Sequence, residues 1–126
     1  METLAPSHKV SLDEANCEFH SKVAGFWNVG NIQSYFDAVE ETCIPLIKAR
    51  KPIYASIDFS DFVPQDQSTG EAIRDHLQLS QKFGLKRLAI IGASALVKIQ
   101  YKRLSSGITV NFVDNKEEAI AWLRNR

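Results

Sequence analysis

Asp58-Phe59-Ser60-Asp61-Phe62-Val63-Pro64-Gln65-Asp66-Gln67-Ser68-Thr69-Gly70 gathers the carboxylates of Asp58, Asp61 and Asp66 and the hydroxyls of Ser60, Ser68 and Thr69 into one short loop. Carboxylates at this density could hold a hard divalent cation. There is no Asp-x-Asp-x-Asp-Gly series, however, so the loop is expected to be solvated and to hold no metal. Ser68 and Glu71 have capping-box spacing, so Ser68 is expected to cap the next helix. A phosphate on Ser68 or Thr69 would meet the free N–H groups of that helix, while the three aspartates would repel it. An aspartate at a strand end could also accept a phosphoryl group. Asp58 is not accompanied by the acidic pair that such a site needs after the first strand.

Elsewhere the reactive residue types are scattered. His8, His20 and His76 are not at metal-ligand spacing, and Cys17 and Cys43 form no C-x-x-C pair and read as small core residues. No G-x-S-x-G elbow is present, and Gly92-Ala93-Ser94 lacks the glycines and lysine of a phosphate-binding loop. A non-catalytic protein without metal or cofactor is the expectation.

The elements that must position the acidic loop alternate between strands and helices. Val10 to Leu12 and Cys17 to Gly25 flank a turn-like Asp13-Glu14-Ala15-Asn16 and predict an opening β-hairpin. Ile32, Tyr35, Phe36, Val39, Cys43, Leu46 and Ile47 recur at helical spacing after Asn31, a candidate N-cap, and Pro45 predicts a kink or split in the last turn. Ile53 to Phe59 reads as a strand. A helix from about Glu71 to Phe83 follows, with Ile73, Leu77 and Ser80 in line, Ala72, Leu79 and Phe83 widening the stripe, and Gly84 as its stop. Leu88 to Ile91 is continuously apolar, as for a parallel strand covered on both faces. Ser94 is expected to cap a helix carrying Leu96, Ile99 and Leu104. Ile108, Val110 and Phe112 form a last strand, and Asp114 with Glu117 a capping box for the final helix. The prediction is a single α/β domain with a mostly parallel four- to five-stranded sheet and about four helices. The acidic loop would then stand at the carboxyl ends of parallel strands, where crevices form.

With 126 residues, 44% of them apolar, the chain can bury one core. Fifteen basic and fifteen acidic residues leave no global field to attract nucleic acid, and Lys82, Lys86, Arg87, Lys98, Lys102 and Arg103, with Tyr101 among them, read as solvated faces. The start Met1 to Val10 lacks the apolar core of a signal peptide, and the run Leu88 to Val97 is too short to span a bilayer. A cytoplasmic protein with no membrane span is expected.

The order of elements resembles the anti-sigma-factor antagonist (STAS) fold, and the whole chain is similar to a family of small bacterial proteins called SpoIIAA-like or STAS/SEC14-like. The residues carrying this are Gly25-Phe26-Trp27, Ile57-Asp58-Phe59, Gly84 to Ile91, Phe112-Val113-Asp114 and Glu118 to Leu123. In regulatory STAS domains an Asp-x-Ser strand end precedes Asp-Ser-Ser-Gly, with a phosphorylatable serine at the helix start. Asp58-Phe59-Ser60 and Asp66 match that pattern. Asp66-Gln67-Ser68-Thr69-Gly70 carries one extra residue: with a local insertion Ser68 takes the phosphoacceptor place, and with the register kept Gln67 stands there and no phosphoswitch exists. The resemblance implies a regulatory or protein-interaction module acting through Asp58, Ser60, Asp61, Asp66, Ser68, Thr69 and Gly70. The alternative is a small-molecule binder for an apolar or acyl ligand in a cleft between the sheet and the first helix. Phe26, Trp27, Tyr35 and Phe36 read either as core or as an apolar surface through which a homodimer could pair.

Overall fold

A computed structural model describes residues 5–126, so the first four positions of the start Met1 to Val10 lie outside the described residues. Strands β1 (Ser7–Asp13) and β2 (Glu18–Ala24) pair antiparallel, as the predicted hairpin requires. Their turn is closed by Asp13, whose carboxylate accepts from the Asn16 backbone N–H at 3.2 Å and from its side-chain amide at 2.8 Å.

Helix α1 spans Val29–Lys48 and is capped by Asn28, one turn earlier than Asn31. Asn31 serves instead as the reciprocal partner of the box, with each side chain accepting from the other's backbone N–H at 2.8 Å. Pro45 does not split the helix, which runs on to Lys48. Next come β3 (Ile53–Asp58), α2 (Gln67–Lys82), β4 (Leu85–Ile91), α3 (Ala95–Leu104), β5 (Val110–Val113) and α4 (Lys116–Arg124). Ser94 caps α3 as expected, but α4 is capped by Asn115 with Glu118 as partner, one position beyond Asp114 and Glu117.

The five strands form one sheet in the order β1-β2-β3-β4-β5, parallel from β2 onward. Each right-handed crossover therefore steps the same way, which brings α1, α2 and α3 to one face and leaves the other to α4. Strand alternation divides the sheet accordingly. Phe19, Val23, Ala55, Ile57, Leu88 and Ile90 point to the three-helix core, while Ala89 and Ile91 meet Ala119 and Leu123 of α4. Ile57, Leu77 and Ile90 are buried.

Two apolar stripes differ from the periodicity reading. In α3 the buried residues are Val97 and Tyr101, and Leu96 and Ile99 face outward. In α2, Ile73 and Leu77 are buried, but Leu79 is 47% and Phe83 51% exposed. Both helices are amphipathic; periodicity finds the period, and only packing fixes the phase of the buried stripe. The parallel strand order also never reverses. The sheet therefore has no topological switch point at the acidic loop.

Candidate functional site

The acidic loop is tied down by its own side chains. Asp58 closes β3, and one of its carboxylate oxygens accepts from the Ser60 backbone N–H at 2.9 Å and from the Ser60 hydroxyl at 2.6 Å. Asp61 faces Lys22 Nζ at 3.4 Å in an exposed pair of little energetic weight. Asp66, not Ser68, is the N-cap of α2. Its carboxylate accepts from the Thr69 N–H at 2.8 Å, and that bond holds its pKa below the ordinary value. Thr69 is buried and its hydroxyl donates to the Trp27 carbonyl at 3.2 Å, while Gly70 is buried beside Leu104. Thr69 and Gly70 are thus joints of the fold. Asp58 is half-buried, and Ser60, Asp61, Asp66 and Ser68 reach solvent.

The residue that organises this loop, Gln65, was not singled out by sequence reasoning. It is buried; its side-chain oxygen accepts from the Trp27 N–H at 2.8 Å, and its amide donates to the carbonyls of Gly25, at 3.1 Å, and Val63. Gln100 of α3 clasps the Gln65 backbone on both sides, at 2.9 and 2.7 Å. A glutamine in a polar loop carries no sequence signal of burial. Gly92 has a similar positional role. It sits at φ +70°, and a Cβ there would meet the Ser60 hydroxyl at 2.6 Å, so the Gly92-Ala93-Ser94 turn is a seat for the loop.

Of the two readings of the aromatic cluster, core describes three of its four residues. Trp27, Tyr35 and Phe36 are buried, and Phe26 alone of the four is exposed, at 42%. Trp27 donates its indole N–H to the Ala24 carbonyl at 2.9 Å, and the Tyr35 hydroxyl lies 2.9 Å from Ser21 Oγ. A homodimer through that edge would have only Phe26 of the four to bury.

Beneath α1 and α2 the three-helix core is incompletely filled. A cavity of about 100 Å³ lies against the sheet, with Phe36, Cys43, Ala55 and Leu77 in its wall. Two small side chains, Ala55 of the central strand β3 and Cys43 of α1, are among those that line it. The wall carries the carboxylate of Glu40, an exposed residue of α1, besides polar groups that burial keeps neutral. His76 stacks on Phe36 with ring centroids 4.1 Å apart, and burial pushes its pKa down to about 4. Burial pushes the Cys43 thiol up to about 11, which makes it a poor nucleophile, and raises Tyr35 and Tyr101 as well. Exposed Leu79 and Phe83 belong to the same wall and mark where it reaches the surface.

The α4 face has the opposite character. Fully buried Glu18 accepts a bidentate pair from Arg124, at 2.7 and 3.0 Å, and lies 3.0 Å from His20 Nε2. His20 Nδ1 lies 2.6 Å from Ser56 Oγ. Burial pushes Glu18 upward in pKa, but the hydrogen bonds and charges of Arg124 and His20 outweigh it and hold the carboxyl below its ordinary value. For His20, burial outweighs the Glu18 hydrogen bond and lowers the pKa. A Ser–His–Glu chain is the grouping that acyl transfer uses, and the scattered histidines of the sequence gave no sign of it. Ser56 is 1% exposed, however, so its hydroxyl is closed off from solvent.

No family model and no curated protein matches the chain. Among solved structures, it is similar to an uncharacterized protein of the DUF3478 family with a SpoIIAA-like fold from Shewanella loihica PV-4. The TM-score is 0.66 at 23% identity, covering 98% of each chain. The chain therefore has a SpoIIAA-like fold, as the resemblance in its sequence implied. No helix among the described residues is long and apolar enough to cross a membrane.

Proposed function

We propose that the protein is a non-catalytic binding module that takes a small apolar group into the cleft between α1, α2 and the sheet. The cavity carries this reading. Its wall is predominantly apolar, with Glu40 as an exposed carboxylate, and it reaches the surface beside Leu79 and Phe83, features shared by small-molecule sites. Its volume of about 100 Å³ is below the roughly 150 Å³ of an apolar cavity that binds benzene, so the guest is a short chain or branched group. Titration with 1-hexanol, followed by amide NMR, should shift residues around Ala55, Cys43 and Leu77. Ala55→Val, which fills the space, should abolish those shifts. Unchanged binding in that variant, or no binding in the parent, removes the reading.

A second reading places a protein partner on the exposed loop Ser60, Asp61 and Ser68. It is supported by Ser68: Asp66 takes over the capping role, and Ser68 stands exposed in the first turn of a 16-residue helix. A phosphate there would face N–H groups with no partner within the helix. Ser68→Asp should change the partners captured from the source cell, whereas Ser68→Ala should not alter stability. Identical partners for the parent and both variants would retire this reading.

A further inference from the structure

At the opposite end of the sheet from the acidic loop, an open groove is lined by Arg50, Lys51, Lys82, Lys86, Arg87 and Arg126 and by no carboxylate. In a chain of zero net charge this is a marked local excess. Arg126 is partly engaged, with Glu18 at 3.8 Å and its guanidinium 3.6 Å from the centre of the Tyr54 ring. Arg87 donates to the carbonyls of Trp122 and Asn125 at 2.7 and 2.9 Å. The other four make no salt bridge among the described residues.

The ordinary explanation for cations at this end is the C-terminal dipole of α1 and α2. That accounts for Lys48 and Lys82, which lie in the last turns. It does not account for Arg50 and Lys51, beyond α1, or for Lys86 in β4. Arg50 moreover sits at φ +56°, a left-handed helix-end position where glycine is favoured and an arginine side chain is strained. The two cation-bearing turns are also held together: Gly84, at φ +120°, lies so close to the Lys51 carbonyl that a Cβ would come within 3.1 Å of it, and the Ile53 N–H donates to the Gly84 carbonyl at 2.9 Å. Ile47 and Phe83 line both this groove and the apolar cavity.

We propose that groove and cavity form one two-part site for a small amphiphilic anion. The cavity takes a short acyl or aryl end, and Arg50, Lys51, Lys82 and Lys86 take the carboxylate or phosphate head across Ile47 and Phe83. This rests on the cavity reading above and adds the charge of the ligand. Cations gathered around an apolar mouth give both attraction and orientation, and the attraction is screened by salt.

The test titrates hexanoate, 1-hexanol and hexylammonium into the parent protein and into Arg50→Gly/Lys86→Gln. Arg50→Gly relieves the left-handed strain, so the variant should fold. Hexanoate should bind at least about tenfold more tightly than hexanol, a difference of about 1.4 kcal/mol, and hexylammonium most weakly. The hexanoate advantage should collapse in the variant and in 0.5 M salt, with hexanol binding unchanged in both. Equal binding of hexanoate and hexanol overturns the anion site and leaves the cavity reading intact. Hexanoate shifts confined to the groove, with none from hexanol, break the link between the two parts and overturn the cavity reading. Absence of binding by all three overturns both.

Discussion

The two faces of the sheet solve the same problem with different chemistry. Under α1, α2 and α3 the sheet is covered by apolar side chains, with Ala55 and Cys43 among those that line the cavity. Under α4 a small apolar cluster of Ala89, Ile91, Ala119 and Leu123 is bordered by the Arg124–Glu18–His20–Ser56 chain, and none of its buried side-chain polar atoms lacks a partner. Hydrogen bonds are directional and fix one geometry, whereas apolar contacts tolerate a gap at the expense of dispersion energy. The face with room to bind is therefore the larger and less polar one.

Paired truncations probe this contrast most strongly. Leu123→Ala, under α4, should destabilise toward the upper end of about 2–5 kcal/mol. Leu77→Ala, whose side chain already borders empty space, should fall toward the lower end of that range. Urea denaturation measures both, and the reverse order would mean that the cavity is filled in solution. Insertions sharpen the same comparison from the other side. Ala89→Val, at a fully buried site beneath α4, should cost about 1–3 kcal/mol by overpacking, whereas Ala55→Val should stay within roughly 0.5 kcal/mol of the parent.

Acidification should act on the two faces in overlapping steps. His76, on the cavity wall, has its pKa lowered from 6.5 to about 4. Between those values the unfolded chain takes up a proton that the folded one refuses, so stability falls as pH drops from 6.5 toward 4 and levels off below. His20 is shifted in the same direction. Glu18 is lowered below its ordinary 4.5, so its contribution is intact above that value and is lost only as pH falls further, through its folded pKa. Thermal melts across this range should show the first loss reduced in His76→Phe, which keeps the stack on Phe36, and the second unchanged. An unaltered first loss would place the buried histidine elsewhere.

The smallest effect belongs to the loop at the end of β3. Asp66→Ala should cost about 0.5–2 kcal/mol as a lost cap, and Ser68→Ala less than about 0.5 kcal/mol. Equal costs would return the cap to Ser68.

The elements were legible in the sequence because each is a local pattern. The hairpin turn, the continuous run at Leu88 to Ile91, Ser94 before α3 and Gly84 after α2 declare themselves within a few residues, and the order of these pieces sufficed for the α/β class and the SpoIIAA-like resemblance. Cap positions slipped where Asn28 competed with Asn31, Asp66 with Ser68, and Asn115 with Asp114. Neighbouring residues of these types are equally good acceptors, and the path of the incoming chain chooses among them. The candidate sites were beyond local reach. The cavity depends on which way α1 and α2 rotate over Ala55, the basic groove on Gly84 bringing Arg50 and Lys51 next to Lys82 and Lys86, and the buried Glu18 on an arginine at the far end of the chain. Local sequence sets backbone preference, cap and period; which residues face each other across a sheet is decided by packing between segments far apart in the chain, and that was settled only in the tertiary structure.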